Sequence, residues 1–177
     1  LLDGGAMFGN VPRELWKTWC PSDDRGRIQL ACRSLLIEWG SVKILCETGI
    51  GAYMEPKLKE RFGVVEKDHM LLKSLEKMGL QHTDIDYVIL SHLHFDHAGG
   101  LLPTYEEHAA QNTLPELLFP KAKFIAGKEA FERSQNPHER DRASFIKGLD
   151  QALIRSGRLR LINNEGETLF GGVIRFH

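Results

Sequence analysis

From residue 35 to residue 46 the chain reads Leu-Leu-Ile-Glu-Trp-Gly-Ser-Val-Lys-Ile-Leu-Cys, two apolar-rich runs around Gly40-Ser41. A two-residue turn at Gly40-Ser41 makes this a hairpin. The register then sets Trp39 against Val42, Ile37 against Ile44 and Leu35 against Cys46, with Glu38 and Lys43 as a favourable cross-strand pair. Leu71, Leu72, Leu75 and Met78 fall at helical spacing. They predict a helix with Asp68 as N-cap, Gly79 as stop and the stripe in the core. Tyr87-Val88-Ile89-Leu90 is too short for a buried helix, and its β-branched and aromatic content predicts a strand covered on both faces. Lys123 to Ala126 reads as a further strand, Ala143 to Ser156 as a helix ending near Gly157, and Leu159 to Ile162 as a half-exposed strand. Pro103 to Pro120 is the least regular stretch and reads as an excursion.

Directly after the strand at Tyr87–Leu90 comes His92-Leu93-His94-Phe95-Asp96-His97, four potential metal ligands in six residues. Neutral imidazole and carboxylate are the donors that borderline divalent metals such as zinc prefer. The cluster falls at the C-terminal end of a strand, where α/β architectures commonly place their sites. In extended backbone His92 and His94 point the same way and can share one metal. Asp96 and His97 follow where the chain must turn, with Gly99 and Gly100 supplying permissive backbone, so the second pair can aim at another point a few Å away. That arrangement suits two metals.

His92 to Gly100, reading HLHFDHAGG, resembles the signature of the metallo-β-lactamase fold superfamily. Leu2 to Gly9, then Val11-Pro12 and Trp16, resemble the opening of its lactonase-like branch, which includes N-acyl-homoserine lactone lactonases and organophosphate hydrolases. Asn136-Pro137 and the run Glu139 to Phe145 resemble a mid-chain segment of the same branch. The implied fold is α/β, an αββα sandwich of which this chain covers the first half and the start of the second. The 177 residues then form one domain, incomplete at both ends and inactive alone.

The resemblance also implies a dinuclear hydrolase with two divalent metal ions, zinc foremost. His92 and His94 would bind the first metal, Asp96 and His97 the second. Asp96 would also be the candidate for steering a proton, two roles that the sequence does not separate. A metal-bound hydroxide would attack a small-molecule ester or lactone, N-acyl-homoserine lactones above all. Hydrolysis of phosphotriesters, thioesters or β-lactams on the same fold is the alternative. A flavodiiron-type oxidoreductase is disfavoured, because that branch carries Glu where this chain has His94. Glu47 stands where family members usually carry Asp; it is either a partner to a ligand imidazole or a solvated strand end. Gly171 to His177 resembles the strand before the family's next ligand loop, which makes His177 a strand-end residue rather than a ligand.

With 23 Lys+Arg against 24 Asp+Glu, charge makes no case for nucleic acid or membrane partners. No apolar run reaches membrane-spanning length. Cys20, Cys32 and Cys46 form no C-x-x-C pair, and the hairpin register keeps Cys32 away from Cys46. Buried free thiols are expected, with no nucleophilic role and a weak lean to a reducing, cytoplasmic compartment. His69, His82, His108 and His138 read as surface residues. Met7, Phe8 and Trp16 read as core, with an apolar pocket lining as the other reading. Acyl-chain preference and oligomeric state are left open.

Overall fold

The computed structural model describes residues 1–109 and 116–177, so part of the irregular stretch, 110–115, lies outside the described residues. The chain divides into two compact units. One consists of Leu1–Ala31 with Met54–Lys67. Its short strand β1 (Leu2–Asp3) pairs antiparallel with β2 (Arg27–Ile28). The helix α1 (Gly4–Phe8) is capped by the Asp3 carboxylate, which accepts from the Gly5 amide at 2.7 Å. A single turn, α2 (Arg13–Trp16), buries Trp16, whose ring stacks on Phe8 with centroids 5.1 Å apart. Trp16 is therefore core, whereas Met7 is 56% exposed. The helix α3 (Pro56–Phe62) opens on proline and ends at Gly63 with φ 64°.

The other unit, Cys32–Tyr53 with Asp68–His177, is built on a five-stranded sheet. Its strands run in chain order: β3 (Leu35–Trp39), β4 (Val42–Cys46), β5 (Tyr87–Leu90), β6 (Lys123–Gly127) and β7 (Leu159–Ile162). The β3–β4 hairpin has the register that the turn dictates, Trp39 facing Val42 and Leu35 facing Cys46. The remaining pairs are parallel, so helices must carry the chain back between strands. These are α4 (Met70–Lys77), α5 (Phe95–Ala98), α6 (Tyr105–His108), α7 (Lys128–Gln135) and α8 (Leu149–Arg155).

Side chains alternate across the sheet, and each face gathers its own cluster. Leu45, Val88, Leu90, Phe124 and Ala126 pack with Leu75, Ala98, Phe131, Leu149 and Leu153 of the helices. On the opposite face Ile125 and Ile162 meet Leu169, with Tyr87, Ile89 and Ile174 at the margin. Leu169 and Ile174 belong to a small hairpin of β8 (Thr168–Leu169) and β9 (Ile174–Arg175). Gly171 to His177 is thus strand only at Ile174–Arg175, because a 3-10 turn takes Phe170–Gly172.

Three local expectations change. The cap of α4 is His69, whose ring accepts from the Leu72 amide at 3.4 Å; Asp68 instead pairs with Lys73 at 2.6 Å. Of the α4 stripe, Leu75 is buried but Met78 is 61% exposed, since the helix ends before Met78 can turn inward. The predicted helix from Ala143 begins only at Leu149, because Gly148 sits at φ 81° and the residues before it form a 3-10 turn at Arg142–Ser144. Its end at Gly157, φ 65°, is as expected.

Candidate metal centre

Strand β5 delivers the chain to Ser91, and His92 to His97 follow at its C-terminal end. His94 is extended (φ −66°, ψ 155°) and starts α5, accepting backbone hydrogen bonds from His97 and Ala98 at 3.0 and 2.9 Å. That one turn brings His97 back onto His92. The His92 ring centroid lies 4.4 Å from that of His94 and 4.1 Å from that of His97. Asp96 Oδ2 lies 3.6 Å from His97 Nε2. All four predicted side chains are half-buried neighbours. His97 stands beside His92.

The end of β4 holds this loop from below. Glu47 Oε2 is 3.0 Å from His97 Nδ1, and Oε1 accepts from the Ser91 amide at 2.8 Å. Thr48, buried, donates to the His97 carbonyl through both its amide and its hydroxyl, at 2.8 and 2.9 Å. Glu47 is thus a partner of a site imidazole and not a solvated strand end. Reaching that position puts its backbone at φ 64°, a region that side-chain-bearing residues seldom adopt. The Ser91 hydroxyl lies 3.0 Å from His92 Nδ1. His94 meets the Phe145 ring edge-on at 4.6 Å.

Glycines make the fit of the two loops possible. Gly49 bridges Ala98, and the Gly100 amide donates to the Gly49 carbonyl at 3.0 Å. A Cβ on Gly100 would run into the Thr48 carbonyl, and one on Gly51 would sit 2.6 Å from the Gly99 carbonyl oxygen. Backbone touches backbone here.

Burial lowers the pKa of His92 below the ordinary histidine value, and the neighbouring imidazoles His97 and His94 add to the effect. Burial does the same to His94. Both are therefore held in the neutral form that binds metal. Tyr53, whose ring packs against Gly99, has its phenol pushed up by burial and then by the charge of Asp96. The donor set has the chemistry of a zinc-type site, imidazoles plus carboxylate. Among the described residues, however, no three such groups are arranged to hold one ion together. The rings are adjacent without converging on a single point.

The other candidates fall elsewhere. His69 is a correction: it is buried, with Nε2 3.2 Å from the Gly100 carbonyl, because α4 tucks its N-cap under the loop. His82 and His108 are half-buried, His82 edge-on to Phe119 and His108 bonded to the Thr104 carbonyl; His138 is exposed. His177 is exposed after β9. Cys32 is exposed and Cys20 and Cys46 are half-buried, so they are not the buried set expected. Burial pushes the Cys46 thiol up, which suits an inert role. Thr48 and Tyr53 carry no signal of a site role in the sequence, and Phe145 stands out only as the end of the run from Glu139; their positions depend on contacts far along the chain.

A sequence profile described as the Metallo-beta-lactamase superfamily matches residues 28–176. The chain belongs to this superfamily. It is similar to a probable metallo-hydrolase of Mycobacterium bovis and one of Mycobacterium tuberculosis, each 30% identical over 88 residues. Those matches cover 46% of this chain and 28% of each relative, so the chain spans well under half of the curated relatives it matches. Among solved structures, a probable metal-dependent hydrolase from Staphylococcus aureus is 29% identical with a TM-score of 0.80, over 96% of this chain and 57% of that one. AidC, a dizinc quorum-quenching lactonase solved with a product, is 26% identical with a TM-score of 0.55, over 78% of this chain and 45% of that one. The metallo-β-lactamase fold is therefore present over about half the length of its structural neighbours. Among the described residues no helix is long and apolar enough to cross a membrane.

Proposed function

We propose that this chain carries the metal-ligand loop of a metal-dependent hydrolase that opens lactones, N-acyl-homoserine lactones foremost. The observation that carries the reading is the grouping of His92, His94, His97 and Asp96 at the end of β5, with Glu47 on Nδ1 of His97. His92 and His94 would hold one divalent ion, and Asp96 and His97 a second, zinc being the best fit to these donors. Such ions, when bound, polarise a carbonyl oxygen and make water a nucleophile near neutral pH. The similarity to AidC supports a lactone over other esters.

The chain's own groups do the remaining work. Glu47 fixes the Nδ1 side of His97, leaving Nε2 toward Asp96 as the ligand atom. Thr48 immobilises the backbone of the same residue. Asp96 is placed both to bind metal and to take up or return a proton during ring opening. Burial keeps His92 and His94 unprotonated and ready to bind.

The test is a zinc titration of the purified full-length protein, with ring opening followed by proton release across lactones, phosphotriesters, thioesters and β-lactams; this chain by itself is expected to stay inactive. Zinc uptake lost in His92→Ala and His97→Ala, with lactones turned over fastest, is the expected result. Zinc binding that survives both substitutions would refute the ligand assignment, and a faster phosphotriester or β-lactam reaction would refute the substrate class.

A further inference from the structure

Each of the three imidazoles needs something to fix its ring. His97 has Glu47 on Nδ1, and His92 has the Ser91 hydroxyl 3.0 Å from Nδ1. Among the described residues, no hydrogen bond reaches the ring of His94. Its ring is gripped by two edge contacts instead, His92 at 4.4 Å and Phe145 at 4.6 Å, both at 76°. The backbones of His94 and Phe145 also form an isolated antiparallel bridge, so the phenyl ring is carried in register with the imidazole.

Phe145 in turn is fixed from two sides. It packs against the helical core, and it ends a tightly wound stretch that begins at His138. There the Asp141 and Arg142 amides donate to the His138 carbonyl at 3.1 and 2.9 Å, and the Ser144 amide donates to the Asp141 carbonyl at 2.8 Å. One ion pair ties that stretch to the rest of the unit. Arg133, in the last turn of α7, donates from Nε and Nη2 to Asp141 Oδ2 at 3.0 and 2.8 Å. Arg133 holds the Asp141 carboxyl below the usual carboxylate range, so the pair stays charged at neutral pH.

We propose that Phe145 is a positioning residue for His94, and that the Arg133–Asp141 pair keeps it in place. The inference rests on the reading of His94 as a metal ligand. The phenyl ring replaces the hydrogen bond that orients most ligand imidazoles, and outer partners of that kind are worth about 10–100-fold in metal affinity. The contact requires an aromatic ring, because the attraction is between a ring edge and a ring face. Tyr should therefore substitute for Phe145 and Leu should not.

Cobalt(II) alone is titrated into the protein and into the Phe145→Tyr, Phe145→Leu and Arg133→Gln variants, and its visible absorption is recorded. In parallel, the metal-free His94 imidazole is followed by NMR, and thermal unfolding confirms that each variant is folded. The expected result is parent-like binding in Phe145→Tyr and about tenfold weaker binding with an altered spectrum in Phe145→Leu. Arg133→Gln should shift the His94 resonances the same way, and its effect should be smaller than additive when combined with Phe145→Leu. Unchanged cobalt affinity and unchanged His94 resonances in Phe145→Leu would overturn the proposal while leaving the ligand assignment intact. Equal losses in the Tyr and Leu variants would overturn it too, since packing volume alone would then explain them. A parent protein that takes up no cobalt would overturn this inference together with the ligand reading.

Discussion

The Glu47 carboxylate lies 3.0 Å from Nδ1 of His97, a residue 50 positions further along the chain, and it gets there from a backbone at φ 64°. A non-glycine residue in that region costs roughly 1–3 kcal/mol and persists only where its surroundings enforce it. Here the second carboxylate oxygen is occupied by the Ser91 amide at 2.8 Å, and Thr48 immediately follows with two hydrogen bonds to the His97 carbonyl. The extra methylene of Glu, relative to the family's usual Asp, is accommodated without losing either contact.

Replacing Glu47 should therefore separate stability from metal affinity. Glu47→Gly relieves the backbone and is expected to cost little stability, or to add some. It should nevertheless weaken zinc binding by about 10–100-fold, measured by competition with a chromophoric chelator. Equal zinc affinity in parent and variant would show that the His97 contact does not matter to binding.

His69 provides a pH signature. Its Nδ1 accepts from Leu72 and its Nε2 faces the Gly100 carbonyl, a set that the neutral ring satisfies and the charged ring does not. Burial, the largest cause, lowers its pKa below the ordinary value even though backbone carbonyls and the charge of Glu107 pull the other way. The unfolded chain consequently takes up this proton first as pH falls. The contribution of His69 is whole above about pH 6.5 and is lost as pH drops through the lowered folded value. Thermal unfolding between about pH 7 and pH 5 should show a shallower decline in His69→Gln than in the parent, from a lower starting stability. Parallel curves would exclude His69 as a source of the acid sensitivity.

Gly100→Ala should be among the most damaging single-methyl additions in the unit. The new Cβ meets the Thr48 carbonyl, a backbone group with nowhere to retreat. Overpacking of this kind costs about 1–3 kcal/mol or more, and the strain falls on the contacts that hold His97. Chemical denaturation should show the loss, and zinc affinity should fall with it. Gly157→Ala is the control, since its Cβ would meet nothing, although its φ of 65° still carries a backbone cost.

Arg158 should be structural despite its charge. Its guanidinium donates to the Phe119 and Ala122 carbonyls, each at 2.7 Å, and lies 4.8 Å over the Phe124 ring. Arg158→Met keeps the stem but strands the Ala122 carbonyl, whereas the Phe119 carbonyl still accepts from the Ala122 amide at 3.1 Å; an unpaired buried polar group costs about 1–3 kcal/mol. A denaturation midpoint unchanged from the parent would show that water satisfies that carbonyl.

What could be read from the chain alone was what is local. The β3–β4 register follows from one turn and an alternation, and Tyr87–Leu90 is a strand in a stretch too short for anything else. The four clustered ligand-type residues were visible because they are contiguous. Glu47 is legible as a residue type in place, but its contact with His97 is made only when β4 pairs with β5. Propensity favours Asp68 as the cap, yet Lys73 draws Asp68 away and Gly100 draws His69 in. The helix expected from Ala143 was overruled by Gly148 and by the turn that presents Phe145 to His94. Tertiary contacts decided these cases, and no periodicity reports them.

The close approach of residues 48–51 to residues 98–100 also has a bearing on the order in which the unit forms. The contact between them is largely peptide group against peptide group, with the Thr48 hydroxyl on the His97 carbonyl beside it. A peptide spanning only the His92–His97 run would thus have the donors but no fixed arrangement of them. Its geometry is set from outside, once a loop of about fifty residues has closed, and loop-closure entropy must be met before any of these contacts is gained. The most recognisable stretch of the sequence therefore cannot take its final form before β4 and β5 have paired.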